Sequence, residues 1–206
     1  MSEFITKWYS KLVAKHYDRF MQSVENRHLS TRRKNLLQDL KGTILEVGAG
    51  TGVNFQFYDP QAQILACEPD SFMATKAREK ATAPSSKATI SLLEQGVETL
   101  EIAPNSLDYI VCTLVLCTIP KPFEAYQQFK SWLKSDGELI ILEHIAPKSK
   151  FTRFSYDLVT PIWKRIGQGC HLNRNTDQDL KSLGFSPIQE EYFQLGVPFY
   201  QARMHA

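Results

Sequence analysis

The segment Thr43–Gly52 constrains the fold most, because it joins an apolar strand to a glycine-rich turn. It reads Thr-Ile-Leu-Glu-Val-Gly-Ala-Gly-Thr-Gly. The first half has the composition of a buried strand, and glycines then alternate with small residues. Glycine lets the backbone approach a ligand closely. The segment therefore predicts a ligand-binding turn at the end of a buried strand.

The spacing of these glycines disfavours two common nucleotide sites. A dinucleotide site has the pattern G-x-G-x-x-G, but counting from Gly48 puts Val53 at the sixth position. A phosphate-binding P-loop ends in Gly-Lys-Ser or Gly-Lys-Thr, and residues 42–75 contain no lysine. The turn is therefore expected to bind neither a nicotinamide dinucleotide nor a nucleoside triphosphate.

Beyond residue 42, short apolar runs alternate with helical stretches, which predicts an α/β fold around a parallel sheet. The predicted strands are 43–48, 63–68, 89–93, 107–112 and 138–143, and the predicted helices are 70–81, 122–134, 153–165 and 176–183. Two final runs, 186–194 and 197–205, are separated only by a turn around Gly196, so they must pair as an antiparallel hairpin. Because no linker or internal repeat interrupts the chain, residues 1–206 are expected to form one domain.

Charge and hydropathy argue against nucleic acid and against a membrane span. The formal net charge is only +2, and no basic cluster is interleaved with aromatic residues. The longest nearly apolar run, Tyr109–Ile119, has 11 residues, whereas a spanning helix needs roughly 20. We therefore expect no nucleic-acid partner and no transmembrane helix.

Four cysteines are few for a chain of 206 residues, and the N-terminus lacks the apolar core of a signal peptide. Both features favour a cytoplasmic location. Cys112 and Cys117 are five residues apart, a spacing unlike that of a zinc knuckle. The sequence therefore predicts no metal site and favours buried structural roles for Cys67, Cys112 and Cys117.

The N-terminal segment predicts a basic amphipathic helix. Between Phe4 and Val24 apolar residues recur at helical spacing, and Lys7, Lys11 and Lys15 line the other side. A second short helix is expected to begin near Ser30. The broad apolar face of the first helix needs a cover, which could be the body of the domain, a membrane surface or a partner.

The motifs together resemble one enzyme family. Glu46–Gly52 matches E-x-G-x-G-x-G, the motif of class I S-adenosylmethionine-dependent methyltransferases. Residues 107–119, 137–144 and 169–174 look like the methyltransferase-like seven group, and the resemblance covers most of residues 40–180. It implies a Rossmann-like class I fold: a mostly parallel seven-stranded sheet ending in an antiparallel hairpin, with residues 1–40 as a helical lid. It also implies S-adenosylmethionine as cofactor, S-adenosylhomocysteine as its product, and S-methylation of a small thiol.

Glu68, at the end of the second predicted strand, stands where this family binds the ribose. Its carboxylate can accept hydrogen bonds from both ribose hydroxyls. The backbone of Gly96 and Val97, after the third strand, is expected to contact the adenine. Tyr17 in the lid is expected to reach the sulfonium, although it could instead simply pack with Phe20 and Met21. The predicted cofactor-binding residues are Tyr17, Glu46, Gly48, Ala49, Gly50, Gly52, Asn54, Glu68, Pro69, Met73, Gly96, Val97, Thr113 and Leu114.

Catalysis by such an enzyme requires few side chains, because the cofactor supplies the electrophile and the protein binds and orients. A base near the acceptor would raise the thiolate fraction of a thiol, whose pKa is ordinarily near 8.5. His144, after the fifth strand, is the predicted base, the alternative being a loop histidine bonded to backbone. His171 could line the acceptor pocket and Arg174 could supply positive potential there. Residues 151–163 carry aromatic side chains that suit an acceptor wall or, as the preferred interpretation, the core.

Three functions remain open from the residues alone. The first is methylation of a small thiol; the second is methylation of a phospholipid or a quinone-like acceptor at a membrane surface. The third is a cofactor-binding regulator without turnover. Animal members of the group begin with a hydrophobic anchor, whereas this chain begins with a helix that has a polar face, so residence in the membrane is not expected. Peripheral contact through the basic face of that helix and the oligomeric state both stay open.

Overall fold

The computed structural model describes residues 3–206, with the side chains of all of these except residues 3–7, 9, 10, 20, 21 and 26. Its α-helices are α1 (Glu3–Val24), α2 (Ser30–Leu37), α3 (Ser71–Ala81), α4 (Pro122–Trp132), α5 (Lys150–Ile166) and α6 (Thr176–Ser182). Its strands are β1 (Gly42–Val47), β2 (Ala62–Cys67), β3 (Thr89–Leu93), β4 (Leu107–Thr113), β5 (Leu133–His144), β6 (Ser186–Leu195) and β7 (Val197–His205). Within the described residues, these elements confirm the predicted mostly parallel seven-stranded sheet and its C-terminal hairpin.

One predicted strand differs clearly from the structure. β5 begins at Leu133, five residues before the predicted start at 138. Leu133 pairs with Leu107 of β4, and the regular register starts only at Tyr109 and Glu138, so the extra residues belong to a bulged end. The apolar pattern missed this end because Ser135 and Asp136 within it are exposed.

The first compact unit, Met1–Leu100, contains three parallel strands in the order β3-β2-β1. Ile44 and Leu45 of β1 are both fully buried, as expected for a parallel strand covered on both faces. The N-terminal helices are continuous, because a π-helical turn at Glu25–Leu29 joins α1 to α2. The strand ends place the turns that follow β1 and β2 side by side within this unit.

The second compact unit, Glu101–Ala206, contains four strands in the order β4-β5-β7-β6. β4 and β5 are parallel, whereas β7 pairs antiparallel with both β5 and β6. Its core lies along β5, where Leu139–Leu142 are all fully buried. His144 is the last residue of this strand and therefore stands at its carboxyl end, the edge at which open α/β sheets bind ligands.

The helix α5 is the main exception to burial. Phe151, Phe154 and Ile162 are 84%, 70% and 64% exposed, so the preferred interpretation of this aromatic segment as core is wrong. Helical periodicity identifies an apolar face but does not say whether anything covers it. Among the described residues, no helix has the length and apolarity that crossing a bilayer requires.

We expect Ile141→Ala to lower the free energy of unfolding by about 2–5 kcal/mol, because it leaves a cavity in a fully buried strand. Ile162→Ala is the matched control, since the same side chain is 64% exposed there; its effect should stay within about 0.5 kcal/mol. Urea denaturation measures both values. Equal losses in the two variants would contradict the assignment of the core.

Candidate active site

The turn after β1 requires glycine for two different reasons. Gly48, Gly50 and Gly52 have φ values of +63°, +58° and +76°, in the left-handed region that glycine favours. A Cβ at Gly52 would lie 2.7 Å from the ring of Phe55, so that glycine is required by packing. A Cβ at Gly50 would meet no atom within 4 Å. The backbone at Gly50 therefore borders open space that a ligand can fill.

The carboxylate of Glu68 stands beside this turn. Its Oε2 accepts a hydrogen bond from the backbone N–H of Gly50 at 2.8 Å, and its Oε1 accepts one from Asp70 at 2.9 Å. Burial raises the pKa of Glu68, although both backbone hydrogen bonds act to lower it. A carboxylate has about four acceptor positions, so each oxygen can accept a further hydroxyl. This donor set suits the two hydroxyls of a ribose.

Glu46, near the end of β1, belongs to a buried polar network. Asn54 Nδ2 donates to its Oε1 at 3.0 Å, and the hydroxyl of Tyr58 donates to its Oε2 at 2.8 Å. Arg33 in turn donates to Asn54 Oδ1 at 2.8 Å and forms an ion pair with Glu25 at 2.9 Å. Burial raises the pKa of Glu46 to about 7. Glu46 and Asn54, both predicted to bind the cofactor, are thus bonded to each other in this network, and their contact with a cofactor stays a prediction.

The N-terminal helix is tied to the same turn through a residue that the sequence did not single out. Asp18 accepts a hydrogen bond from the hydroxyl of Thr51 at 2.6 Å and pairs with Lys80 of α3 at 2.9 Å. Burial alone would raise the pKa of Asp18, but the hydrogen bonds from Thr51 and Lys80 hold it below its ordinary value. Tyr17, the neighbouring residue of α1, is half-buried. The alternative packing partners Phe20 and Met21 lie outside the described side chains.

The remaining predicted residues of the first unit follow the ends of β1, β2 and β3. Ala49 donates its N–H to Cys67 O at 3.0 Å, which ties the glycine turn to β2. Pro69 is exposed and Met73 is buried in α3. Gly96 is extended and leads into a short 3₁₀ turn that begins at the buried Val97. Whether these positions contact adenine stays a prediction.

In the second unit, the loop after β4 is fixed by a buried carboxylate. Glu143 Oε1 accepts hydrogen bonds from the N–H groups of Val115 and Leu116, the latter at 2.8 Å. Burial raises the pKa of Glu143 to about 7. The loop begins at the predicted residues Thr113, at the end of β4, and Leu114, which has a φ of +57°. A leucine in this conformation costs of order 1 kcal/mol and persists only where its surroundings impose it.

His144 contacts a cysteine that is distant in sequence. Its Nε2 lies 3.1 Å from Cys170 Sγ. Hydrogen bonds from Cys117 and His144 hold the pKa of Cys170 well below its ordinary value, while donating to Cys170 raises the pKa of Cys117. Burial acts to lower the pKa of His144, but the hydrogen bond and the negative charge of Cys170 outweigh burial. The pKa of His144 is therefore above its ordinary value. The imidazole of the predicted base is thus engaged by the protein's own thiol, and its catalytic role stays a prediction.

Arg174 and His171 are the two other polar residues expected from the sequence to lie near the acceptor. Arg174 donates to the carbonyl oxygens of Leu116 and Ile119, the latter at 2.7 Å. His171 lines a groove of about 580 Å³ together with Thr160 and Lys164 of α5.

Sequence reasoning missed the assembly of Cys117 and Cys170 around His144. The residues are 27 and 26 positions apart, and no local pattern signals their contact.

Comparison with known proteins agrees with the geometry. Residues 45–141 match the family model described as a methyltransferase domain. Thiol S-methyltransferase TMT1B of Rattus norvegicus is 34% identical over 76% of this chain and 67% of its own length. The Homo sapiens protein of the same name is 32% identical over 81% of this chain and 72% of its own. This chain belongs to the class I S-adenosylmethionine-dependent methyltransferases.

The fold of a class I methyltransferase is shown independently by solved structures. A SAM-dependent methyltransferase of Thermotoga maritima superposes with a TM-score of 0.64, covering 96% of this chain and 97% of its own at 18% identity. The family match and the two curated relatives make this chain a methyltransferase whose cofactor is S-adenosylmethionine. The open space at Gly50 and the acceptor positions of Glu68 fit that cofactor.

We expect Glu68→Ala to weaken binding of S-adenosylhomocysteine by about 1.5–3 kcal/mol, because it removes charge-assisted acceptors for the ribose hydroxyls. Isothermal titration calorimetry measures the change. Glu94→Ala is the matched control, since Glu94 is exposed and pairs only with the exposed Arg78 at 2.7 Å among the contacts described. Unchanged affinity in Glu68→Ala would contradict the assignment of the ribose site.

The contribution of Glu46 to the free energy of unfolding should fall as the pH rises. Because burial raises the pKa of Glu46 to about 7 from 4.5, the folded state holds that proton more tightly than the unfolded state does. Its stabilisation is therefore complete at low pH and is lost as the pH rises towards about 7. Between about pH 5.5 and about pH 8.5, wild type should lose about 2 kcal/mol more than Glu46→Gln, as measured by urea denaturation. The same pH dependence in both proteins would show that Glu46 titrates normally.

Proposed function

We propose that this methyltransferase transfers its methyl group to the sulfur of a small thiol. The match to two proteins named thiol S-methyltransferase, at 32% and 34% identity, carries the proposal. The cluster of Cys117, His144 and Cys170 supports it, because thiol and imidazole groups collect at the carboxyl end of β5. A binding site for a small thiol needs little more than an apolar surface and a group that promotes the loss of the thiol proton.

S-adenosylmethionine supplies, when bound, an electrophilic methyl group on a sulfonium. The residues of the chain bind and orient the reactants. Gly50 and Glu68 would hold the nucleoside part, and the loop fixed by Glu143 would present its backbone at the end of β4. The polar end of the acceptor site would be the imidazole of His144 with its thiol neighbours. These groups would keep the acceptor sulfur ionised and directed at the methyl group. Ionisation and orientation of the acceptor each raise the rate of such a displacement.

A panel of three acceptors with the same alkyl chain tests this proposal: hexanethiol, hexanol and hexylamine. We expect labelled methyl from the cofactor to appear on the thiol at a kcat/KM at least about 10²-fold above that for the other two. A thiol loses its proton far more readily than an alcohol and gives a strong nucleophile, whereas an alkylamine is held protonated at neutral pH. Glu68→Ala should reduce the thiol reaction through its weaker cofactor binding, and serves as the control for enzyme-dependent product.

The other two functions are distinguished by the same assay. Product from phosphatidylethanolamine vesicles or a quinol, with none from hexanethiol, would replace the thiol proposal by the membrane-surface alternative. Cofactor binding without product from any acceptor would favour a regulator that does not turn over.

We also propose that α1 acts as a lid over the cofactor. The hydrogen bond from Thr51 to Asp18 ties α1 to the glycine turn, and Lys80 bonds both of those residues. Peripheral membrane contact is the alternative, since Lys11 and Lys15 are exposed on α1. Deleting residues 1–26 would not separate these roles cleanly, because it also removes Glu25, the ion-pair partner of the buried Arg33.

Asp18→Ala tests the lid with the rest of the helix in place. We expect cofactor affinity to fall several-fold, because the tie between α1 and the turn is lost, while Arg19→Ala, an exposed neighbour, leaves affinity unchanged. Lys11→Glu with Lys15→Glu tests the alternative by sedimentation with anionic liposomes. Full cofactor affinity in Asp18→Ala, with liposome binding lost in the lysine variant, would overturn the lid.

A cytoplasmic location is part of this proposal. None of the four cysteines forms a disulfide in the structure, as is usual for proteins of reducing compartments. Microscopy of a C-terminally tagged protein in cells tests the location, and a membrane-bound signal would contradict it.

A further inference from the structure

The cluster of Cys117, His144 and Cys170 has the composition and geometry of a metal site. Their ligand atoms, two Sγ and one imidazole nitrogen, all lie within 4.8 Å of one another. Cys117 and His144 are 3% and 8% exposed, whereas Cys170 is half-buried. The cluster is therefore closed on the side of the core and accessible on the side of Cys170.

Thiolate and imidazole ligands are those that zinc prefers. In a tetrahedral zinc site, the Zn–S and Zn–N distances of about 2.3 and 2.0–2.1 Å place a nitrogen and a sulfur ligand about 3.5 Å apart and two sulfur ligands about 3.8 Å apart. His144 Nε2 and Cys170 Sγ are 3.1 Å apart, so they need to separate by only a few tenths of an ångström. Two cysteines and one histidine with a fourth position left open form a catalytic type of zinc site, as opposed to the closed four-ligand structural type.

The segment that carries Cys117 is held in place by hydrogen bonds with His171, Arg174 and Glu143. His171 N donates to Cys117 O at 2.9 Å, and Arg174 binds the carbonyl oxygens on both sides of that residue. Glu143 holds the preceding residue, Leu116, by its N–H at 2.8 Å. His144 is fixed at the end of β5, where the next N–H donates to Pro198 O at 2.9 Å. Two of the three ligands thus stand on backbone that is ordered before any ion binds, which lowers the entropic cost of assembling a site.

We propose that Cys117, His144 and Cys170 bind a zinc ion whose open fourth position takes the acceptor thiol. This inference rests on the proposed function, and it assigns His144 the role of a ligand in place of a base. Coordination to zinc deprotonates a thiol, as it does the thiols of cysteine ligands. The acceptor therefore binds as a thiolate and its proton passes to water. A sulfur lone pair then forms the new C–S bond to the methyl group, while the methyl–sulfonium bond breaks and its electron pair stays on the cofactor sulfur. The neutral thioether is a weak ligand and leaves.

Zinc analysis of the full-length protein is the first test. After purification with zinc and extensive desalting, we expect about one zinc ion per chain by plasma mass spectrometry. Cys170→Ala and His144→Ala should each lower zinc affinity by at least about 10²-fold, because each removes one ligand. Cys112→Ala is the matched control, as Cys112 is a buried cysteine of the same unit that lies outside the cluster. Circular dichroism of each variant establishes that it is folded.

Cobalt substitution tests the open position without depending on turnover. The cobalt form of wild type should show the intense charge-transfer absorption of a thiolate-bound tetrahedral ion. Hexanethiol should change the ligand-field bands, and hexanol should not. Absence of zinc from wild type, equal zinc in the Cys170→Ala variant, or bands that hexanethiol leaves unchanged would each overturn the inference.

The activity assay separates this inference from the proposed function. If metal-free wild type methylates hexanethiol as fast as the zinc form, the proposed binding of the acceptor to zinc is refuted while thiol methylation stands. If the zinc form makes no methylated thiol although hexanethiol alters the cobalt spectrum, thiol methylation is refuted while the site stands. A Cys117–Cys170 disulfide in wild type kept under reducing conditions, seen by mass spectrometry with no bound zinc, would also overturn the site.

Discussion

The buried carboxylate of Glu143 is the interaction on which the second unit depends. It is fully buried at the end of β5, and one of its oxygens accepts two backbone N–H groups from the loop after β4. Its other oxygen has no hydrogen-bond partner among the described residues. Burying such a group is costly, and the cost appears as a pKa raised to about 7. The hydrogen bonds to this carboxylate hold the loop in a strained conformation, in which Leu114 is in the left-handed region and Cys117 has a fixed position.

The first unit uses the same device at the end of β1. Glu46 is also buried, and its two oxygens accept hydrogen bonds from Asn54 and Tyr58, which follow the glycine turn. Arg33 extends this network to the N-terminal helices. In both units, a glutamate near the carboxyl end of a strand accepts hydrogen bonds from residues of a loop at the same end of the sheet. Because buried acceptors must find donors, the loops have little freedom to adopt another shape.

Strands, buried carboxylates and the groups at the strand ends have different roles in this structure. Regular strands supply a rigid frame, and the buried carboxylates fix the loops. The groups available to ligands are the polar groups at the strand ends that still have accessible donor or acceptor positions. Glu68 keeps acceptor positions free, and Cys170 stays accessible at the edge of its cluster. Methyl transfer demands mainly orientation and exclusion of water, so a site built on fixed loops suits it. The exposed apolar face of α5 stands apart from this frame, since its large side chains contribute little to the core.

The sequence by itself determined the helices and strands, the glycine turn and the family. These features are local: alternation and helical period follow from backbone geometry, and the left-handed φ of Gly48 or Gly50 demands a residue without a Cβ. Only the tertiary structure decided what lies against what. It brought Cys117 and Cys170 to His144, tied Asp18 to Thr51, and left Phe151 exposed where periodicity suggested core. Contacts between residues tens of positions apart depend on how the elements pack, and no periodic pattern within a segment records that packing.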